Sequence, residues 1–270
     1  MATVYHRDQA GAPSLAYGLN VNTGFNALKA VLKACLVEGY GALPAAGWEL
    51  VAEGTNYLVL RNGSHSGYVC FALVGSVARV YLAETYLGMS GAIMQGDGLK
   101  TGTAAGNAVP QTISVMYLAA GTNSTTWSVV ADSRTFVLYM SGASDNNAVS
   151  YAGSAFSFGL ILYVGEDSDG GFVCIGGDNT TATNQTGAAG YFSPALGFTT
   201  LRDPATGLLV DTGGIAARSP TLNNSKNTMS PQWVGFPVPH VDFSEIVWTT
   251  TSAYGGRLRG ICVAATLAYL

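Results

Sequence analysis

The chain has 270 residues and a formal net charge of −4, and only 10% of its residues are charged, against about 25% in an ordinary soluble domain. Lys and Arg are few and never run together, which excludes a surface built to displace counterions from nucleic-acid phosphates. No stretch reaches the roughly 18 consecutive apolar residues of a membrane-crossing helix, the longest candidates being 156–165 and 261–270.

Gly, Ser, Thr and Asn replace the missing charge, with Gly at 35 of 270 positions, nearly twice the usual share of about 7%. Such a chain reverses direction often, because these residues supply tight turns and positive φ. A surface short of charge is weakly hydrated and resists association poorly. Coverage by neighbours is therefore expected, as in a subunit of an assembly. The first 16 residues include His6, Arg7, Asp8 and Gln9 and lack the apolar core of a secretory signal, so a soluble protein made in the cytoplasm is expected. A mean hydropathy of +0.27 raises a membrane β-barrel, which the missing signal argues against.

In chain order, the first clear element is a helix over 25–38. Phe25, Leu28, Val31, Leu32, Cys35 and Leu36 recur with a 3.6-residue period, and Asn26, Lys29 and Lys33 take the other face. Asn22 or Thr23 is placed to cap its start and Gly39 to end it, and its apolar stripe should dock on a sheet. Beyond Gly39 short apolar runs alternate with turn residues. Strands are predicted over 48–52, 57–61, 67–74, 77–83, 113–118, 126–131, 134–140, 156–164, 171–175 and 258–268. Asn62-Gly63 marks a hairpin. Spacing of roughly ten residues points to a sandwich, barrel or layered sheet. Long loops are expected near 176–190 and 201–227, and Pro237-Val-Pro239 is stiff and extended. No fixed-period repeat is visible, which argues against solenoids and propellers. The expected fold is α+β, mainly antiparallel β (a sandwich or layered sheet) with one N-terminal helix, forming a single domain over 1–270.

Chemistry-bearing patterns are scarce. There is no phosphate loop, no dinucleotide fingerprint and no C-x-x-C. Gly63-Ser-His-Ser-Gly67 resembles a nucleophile elbow but puts His at its centre, in a turn. His6, His65 and His240 are not spaced as zinc ligands. Cys35, Cys70, Cys174 and Cys262 sit in apolar contexts and read as buried thiols. Asp167 and Asp169 match the first ligand positions of a calcium loop, but Phe172 stands where that loop needs Gly, so 166–171 reads as a polar turn between two strands. Trp48 and Trp127 are expected in the core. Trp233 and Trp248 lie in less regular sequence, where exposed rings could stack on sugars. No catalytic, cofactor-binding or metal residue is assigned, and no cofactor is expected.

The run Ala34-Cys-Leu-Val-Glu-Gly-Tyr-Gly41, then Gly47-Trp48, Gly54-Thr-Asn56 and Arg61, resembles a family of tailed-bacteriophage virion structural proteins. Members open with a helix ending in A-C-L-V-x-G-Y-G, followed by G-W, G-T-N and a strand carrying an Arg. Weaker likeness continues in order. Val77–Met89 looks like the next strand pair, and Trp127 to Phe136 is similar to a W-x-x-x-x-D-x-R-x-F segment. Phe156 to Gly176 resembles a strand, acidic turn and strand, though the usual Asp after F-G is absent. Gly256-Arg-Leu-Arg-Gly260 resembles a closing motif. The resemblance implies a non-enzymatic structural role in the virion. A subunit of the tail tip or baseplate, acting by symmetric assembly with copies of itself and other virion proteins, comes first. A capsid decoration protein and a host-surface glycan-binding module of the tail are the alternatives. Neither nucleic acid nor membrane insertion is expected. Read physically, the same motifs need no chemistry: Gly39 and Gly41 reverse the chain, Trp48 covers the helix stripe, Gly54-Thr-Asn56 turns, and Asp132 pairs with Arg134.

Overall fold

The computed structural model describes residues 2–15, 21–75, 77–99, 112–114, 127–140, 160–166, 170–176, 198–199, 215–218 and 245–248. In order they form β1 (Thr3–His6), α1 (Val21–Lys33), a π turn over Ala34–Glu38, β2 (Glu49–Gly54), β3 (Tyr57–Arg61), β4 (Tyr68–Val74), β5 (Val77–Ala83), β6 (Gly88–Ser90), β7 (Ile93–Gln95) and β8 (Thr112–Ser114). There follow β9 (Trp127–Ala131), β10 (Thr135–Met140), β11 (Leu160–Glu166), β12 (Phe172–Gly176), β13 (Phe198–Thr199), β14 (Ile215–Arg218) and β15 (Glu245–Trp248). The fold is α+β and mainly antiparallel. A six-stranded sheet runs β1-β9-β10-β11-β12-β13 and a five-stranded sheet runs β2-β3-β4-β5-β8, beside two small pairs, β6-β7 and β14-β15.

Strand alternation sorts the side chains. Leu58, Leu60, Val69, Phe71, Val80 and Leu82 of the five-stranded sheet join Trp127, Val129, Phe136, Leu138, Leu162 and Val164 of the six-stranded sheet in one core. The predicted helix stripe, Phe25 to Leu36, lies in that core. The opposite faces are apolar as well. Val59, Cys70, Ala72, Tyr81 and Ala83 form a second cluster with Met94 of β7. Val130, Val137, Tyr163 and Val173 are buried on the other side of the six-stranded sheet. That is why these strands read as continuous apolar runs.

The helix departs from expectation in two ways. It starts at Val21, so Asn22 and Thr23 lie in its first turn rather than ahead of it. Lys29, assigned to the solvent face, is only 7% exposed. Its stem is buried and its ammonium donates to the Gly54 carbonyl at 2.8 Å and meets Glu53 at 3.3 Å. The stripe is thus wider than apolar residues alone mark, because a long cationic side chain can bury its stem while its head finds oxygen.

The end of the helix explains the G-Y-G and G-W motifs. The Gly39 amide bonds to the Ala34 carbonyl at 2.8 Å, closing the π turn. The returning chain then caps the carbonyls the helix leaves open: Ala46 donates to Cys35, and Gly47 and Trp48 both donate to Leu36. Tyr40 swings onto the outer edge of β1. Its hydroxyl meets the His6 amide at 2.9 Å and Gln9 Oε1 at 2.7 Å, while Gln9 donates to the Val4 carbonyl. An exposed sheet edge invites pairing with another chain, and here the His6 amide and the Val4 and His6 carbonyls are already taken. The edge at β2 is blunted by a bulge between Leu50 and Ala52 and by Glu49 and Glu53.

Trp48 and Trp127 are buried as expected, and Cys35, Cys70 and Cys174 are buried free thiols. The stretch 201–227, expected to be weakly structured, contains β14, paired with β15; a four-residue Ile-Ala-Ala-Arg run is too short to stand out. The expected loop after Gly176, the 258–268 strand, the 256–260 motif and Pro237–Pro239 lie outside the described residues, as do His240, Cys262, Trp233 and the Trp248 side chain.

Gly41 has φ +58, and a Cβ there would sit 2.2 Å from the Ala10 carbonyl oxygen, whereas Gly91 has φ +60 with nothing within 4 Å. Gly91→Ala should cost about 1–2 kcal/mol for the left-handed backbone alone. Gly41→Ala should cost about 3 kcal/mol or more once overpacking is added. Urea titration of the two variants separates the effects, and equal losses would refute the steric account of the motif.

Candidate functional site

The densest polar constellation among the described residues lies at one end of the two sheets, where three turns meet. They are the β3–β4 turn over 62–67, the β9–β10 turn over 132–134, and the end of β11 at Glu166. Asn62 is fully buried. Its amide nitrogen contacts Ser64 Oγ and Ser66 Oγ, each at 2.8 Å, and the Arg134 carbonyl at 3.2 Å. Its Oδ1 accepts the Ser66 amide at 2.9 Å. The Asn62-Gly63 hairpin is therefore real but wider than a two-residue turn, and Asn62 is used for its amide rather than for positive φ. Gly63 donates to the Ser133 carbonyl at 2.6 Å, and a Cβ there would lie 2.5 Å from the Gly47 carbonyl oxygen.

Glu166 is the hub. It is 3% exposed, yet Arg134 Nε and Nη2 converge on its Oε2 and the Ser64 hydroxyl donates to its Oε1. Its own carbonyl accepts from Thr135 Oγ1 at 3.2 Å and Tyr163 Oη at 2.5 Å, and its amide donates to the Arg134 carbonyl at 3.2 Å. Asp132 does not hold the turn as a simple ion pair. Its Oδ1 accepts the Arg134 and Thr135 amides, each at 2.9 Å, while the Arg134 guanidinium reaches Glu166. Below the seam Trp48 donates to the Asp132 carbonyl at 2.9 Å and packs edge-on against Phe136 at 5.1 Å.

Burial alone would raise the Glu166 carboxyl. The hydrogen bonds from Ser64, Arg134 and Ser66, with the Arg134 charge, outweigh it and hold the group below the usual carboxylate range. A carboxylate held ionised in this way is a weak base, so the arrangement suits charge neutralisation better than proton transfer. The elbow-like Gly63–Gly67 run forms the turn expected of it. His65 has φ +61 and is exposed. Its Nε2 lies 3.0 Å from Glu49 Oε1, on the far side from Ser64's contact with Glu166.

Other candidates stay apart. His6 pairs with Asp8 at 3.4 Å, and burial lowers its pKa more than Asp8 raises it. Burial pushes the thiols of Cys35, Cys70 and Cys174 up, which leaves them unreactive. Among the described residues no group of three or more His, Cys, Asp or Glu could hold a metal ion. Asp167 and Asp169 lie outside those residues; the strands on either side, β11 and β12, form the hairpin expected around them. Sequence reasoning gave Glu166 only a place in a turn and gave Asn62 only a hairpin signal. The one available sign was an acid ending a wholly apolar strand. No protein-family model, no curated protein and no solved structure matches the chain.

Arg134→Met leaves Glu166 buried without its counter-charge and should lower stability by roughly 2 kcal/mol at pH 7, less than for a fully buried pair because the Arg134 side chain is 44% exposed. Adding Glu166→Gln to it should recover about 1 kcal/mol or more, because the orphaned charge is gone. Urea unfolding of the two singles and the double completes the cycle. Strictly additive losses would show that the two side chains are not coupled.

Proposed function

We propose that this chain is a non-enzymatic structural subunit of a tailed-bacteriophage virion, acting by assembly with copies of itself and with other virion proteins, at the tail tip or baseplate. The observation that carries the reading is the A-C-L-V-E-G-Y-G, G-W, G-T-N signature of residues 34–56. The roles of its residues support it. Gly39 closes the helix, Tyr40 seals a sheet edge, Gly47 and Trp48 cap helix carbonyls, and Thr55-Asn56 links β2 to β3. Each keeps the fold, as suits a component whose task is shape.

The surface supports assembly too. The β6–β7 hairpin carries Leu87 at its base, 72% exposed, and Ile93, 49% exposed. Each large apolar side chain left exposed on a charge-poor surface gains from burial against a neighbour. Identical copies meeting head to tail close into a symmetric ring when the rotation between them closes.

Light scattering of the purified protein should give a mass several times the 27.8 kDa protomer, and antibody labelling of purified particles should mark the tail tip. The Leu87→Asp/Ile93→Asp double variant should shift the mass toward the protomer without changing the melting temperature, since both side chains are exposed. Labelling on tail-less heads would favour a capsid decoration protein instead. A monodisperse monomer absent from particles would overturn the structural reading.

A further inference from the structure

The clasp formed by Glu166 joins the 62–67 turn of the five-stranded sheet to the 132–134 turn of the six-stranded sheet, and its side-chain contacts with Arg134 and Ser64 call for the ionised carboxylate. From the β9–β10 turn, Arg134 brings the only cation found on the carboxylate among the described residues. From the β3–β4 turn, Ser64 donates to it and Asn62 lies 3.4 Å from it. From β10 and β11, Thr135 and Tyr163 hold its main-chain carbonyl. From β12, its register partner is the apolar Phe172. Two further ionisable groups of these turns are engaged elsewhere, His65 with Glu49 and Asp132 with the backbone amides of 134 and 135.

We propose that Glu166 is an acid-operated clasp, whose protonation frees the 62–67 and 132–134 turns from each other and opens this end of the molecule while the centres of the sheets stay paired. Protonation removes the attraction to Arg134 and turns one acceptor oxygen into a donor facing donors. The remaining link between the turns is then the Gly63 amide on the Ser133 carbonyl and the Asn62 amide on the Arg134 carbonyl. Beneath them lie Trp48, Phe136 and Phe172, and Gly67 sits so close to the Phe172 ring that a Cβ would be 2.5 Å from it. Opening would therefore wet the end of the core directly.

The folded carboxyl titrates below its unfolded value of about 4.3. The clasp's contribution is complete above that pH and is lost as pH falls through the folded value.

Hydrogen exchange read by mass spectrometry from pH 7 to pH 2.5, corrected for intrinsic rates, tests this on the full chain. Protection of the Gly63, Asp132 and Glu166 amides should fall below about pH 4.3, by up to about tenfold per pH unit as one proton is taken up. Amides of β4 and β5 should keep theirs. Glu166→Gln should show low, pH-independent protection at the same three sites, and His65→Gln should behave as the parent. Arg134→Met, which removes the cation that favours ionisation, should open at a higher pH. Flat protection in the parent, simultaneous loss in β4 and β5, or a parent-like pH response in Glu166→Gln would overturn the clasp. Should Glu166→Gln fail to fold, an unshifted opening pH in Arg134→Met would do the same.

Discussion

A carboxylate taken almost wholly out of water must find compensation within the protein or take up a proton. Glu166 finds it in residues from two distant turns, and that requirement fixes how the two large sheets meet. Arg134 cannot reach it unless the β9–β10 turn is pulled tight by the Asp132 cap, and Ser64 cannot unless Asn62 shapes the 62–67 turn from within. Trp48 and Phe172 fill the space beneath only because these turns close over them. In a chain with so few charges, one pair anchored on a buried carboxylate thereby acquires an influence that fully exposed pairs lack.

The short segment between α1 and β2 carries a second constraint. It satisfies helix carbonyls, places Trp48 in the core, and lets Tyr40 close the outer edge of β1. Three tasks fall to about ten residues, which leaves little freedom in their identity. Glycines there answer to close backbone approach as much as to φ. The five-stranded sheet is handled differently at its edge, with a bulge, acids on β2, and Lys29 and Lys33 reaching Glu53 from the helix. The β1 and β2 edges thus have hydrogen-bonding groups that are occupied or guarded, so at these two edges association through side chains is favoured over strand addition.

Much of the fold was legible because its signals are local. The runs 57–61, 77–83 and 127–131 alternate or stay apolar over their whole length and match the strands to within a residue, and the periodic helix stripe from Phe25 to Leu36 lies in the core although the helix itself starts four residues earlier than read, at Val21. What escaped depends on partners far along the chain. Thr3–His6 is four residues of mixed character that become a strand only beside β9. β6 and β7 are three residues each. Lys29 reads as a solvent-facing residue until Gly54 and Glu53 are beside it. Arg134 was expected to pair with Asp132, two residues away, but its guanidinium reaches Glu166, thirty-two positions on, a contact that no pattern along the chain encodes.

The pairing of β1 with β9 also bears on how the molecule is made. Thr3–His6 is synthesised well before its neighbour, Trp127–Ala131. At translation rates of about 5–20 residues per second, this strand waits on the order of ten seconds for its mate. Over that interval the five-stranded sheet and the helix can form, while Tyr5 and Leu15, both buried in the finished protein, have no complete core to enter. Such non-local closure is slow and leaves apolar surface open to competitors. Tyr40 and Gln9, already translated, are in position to occupy the outer edge of that waiting strand during synthesis, so the device that guards the mature sheet also shields the nascent chain.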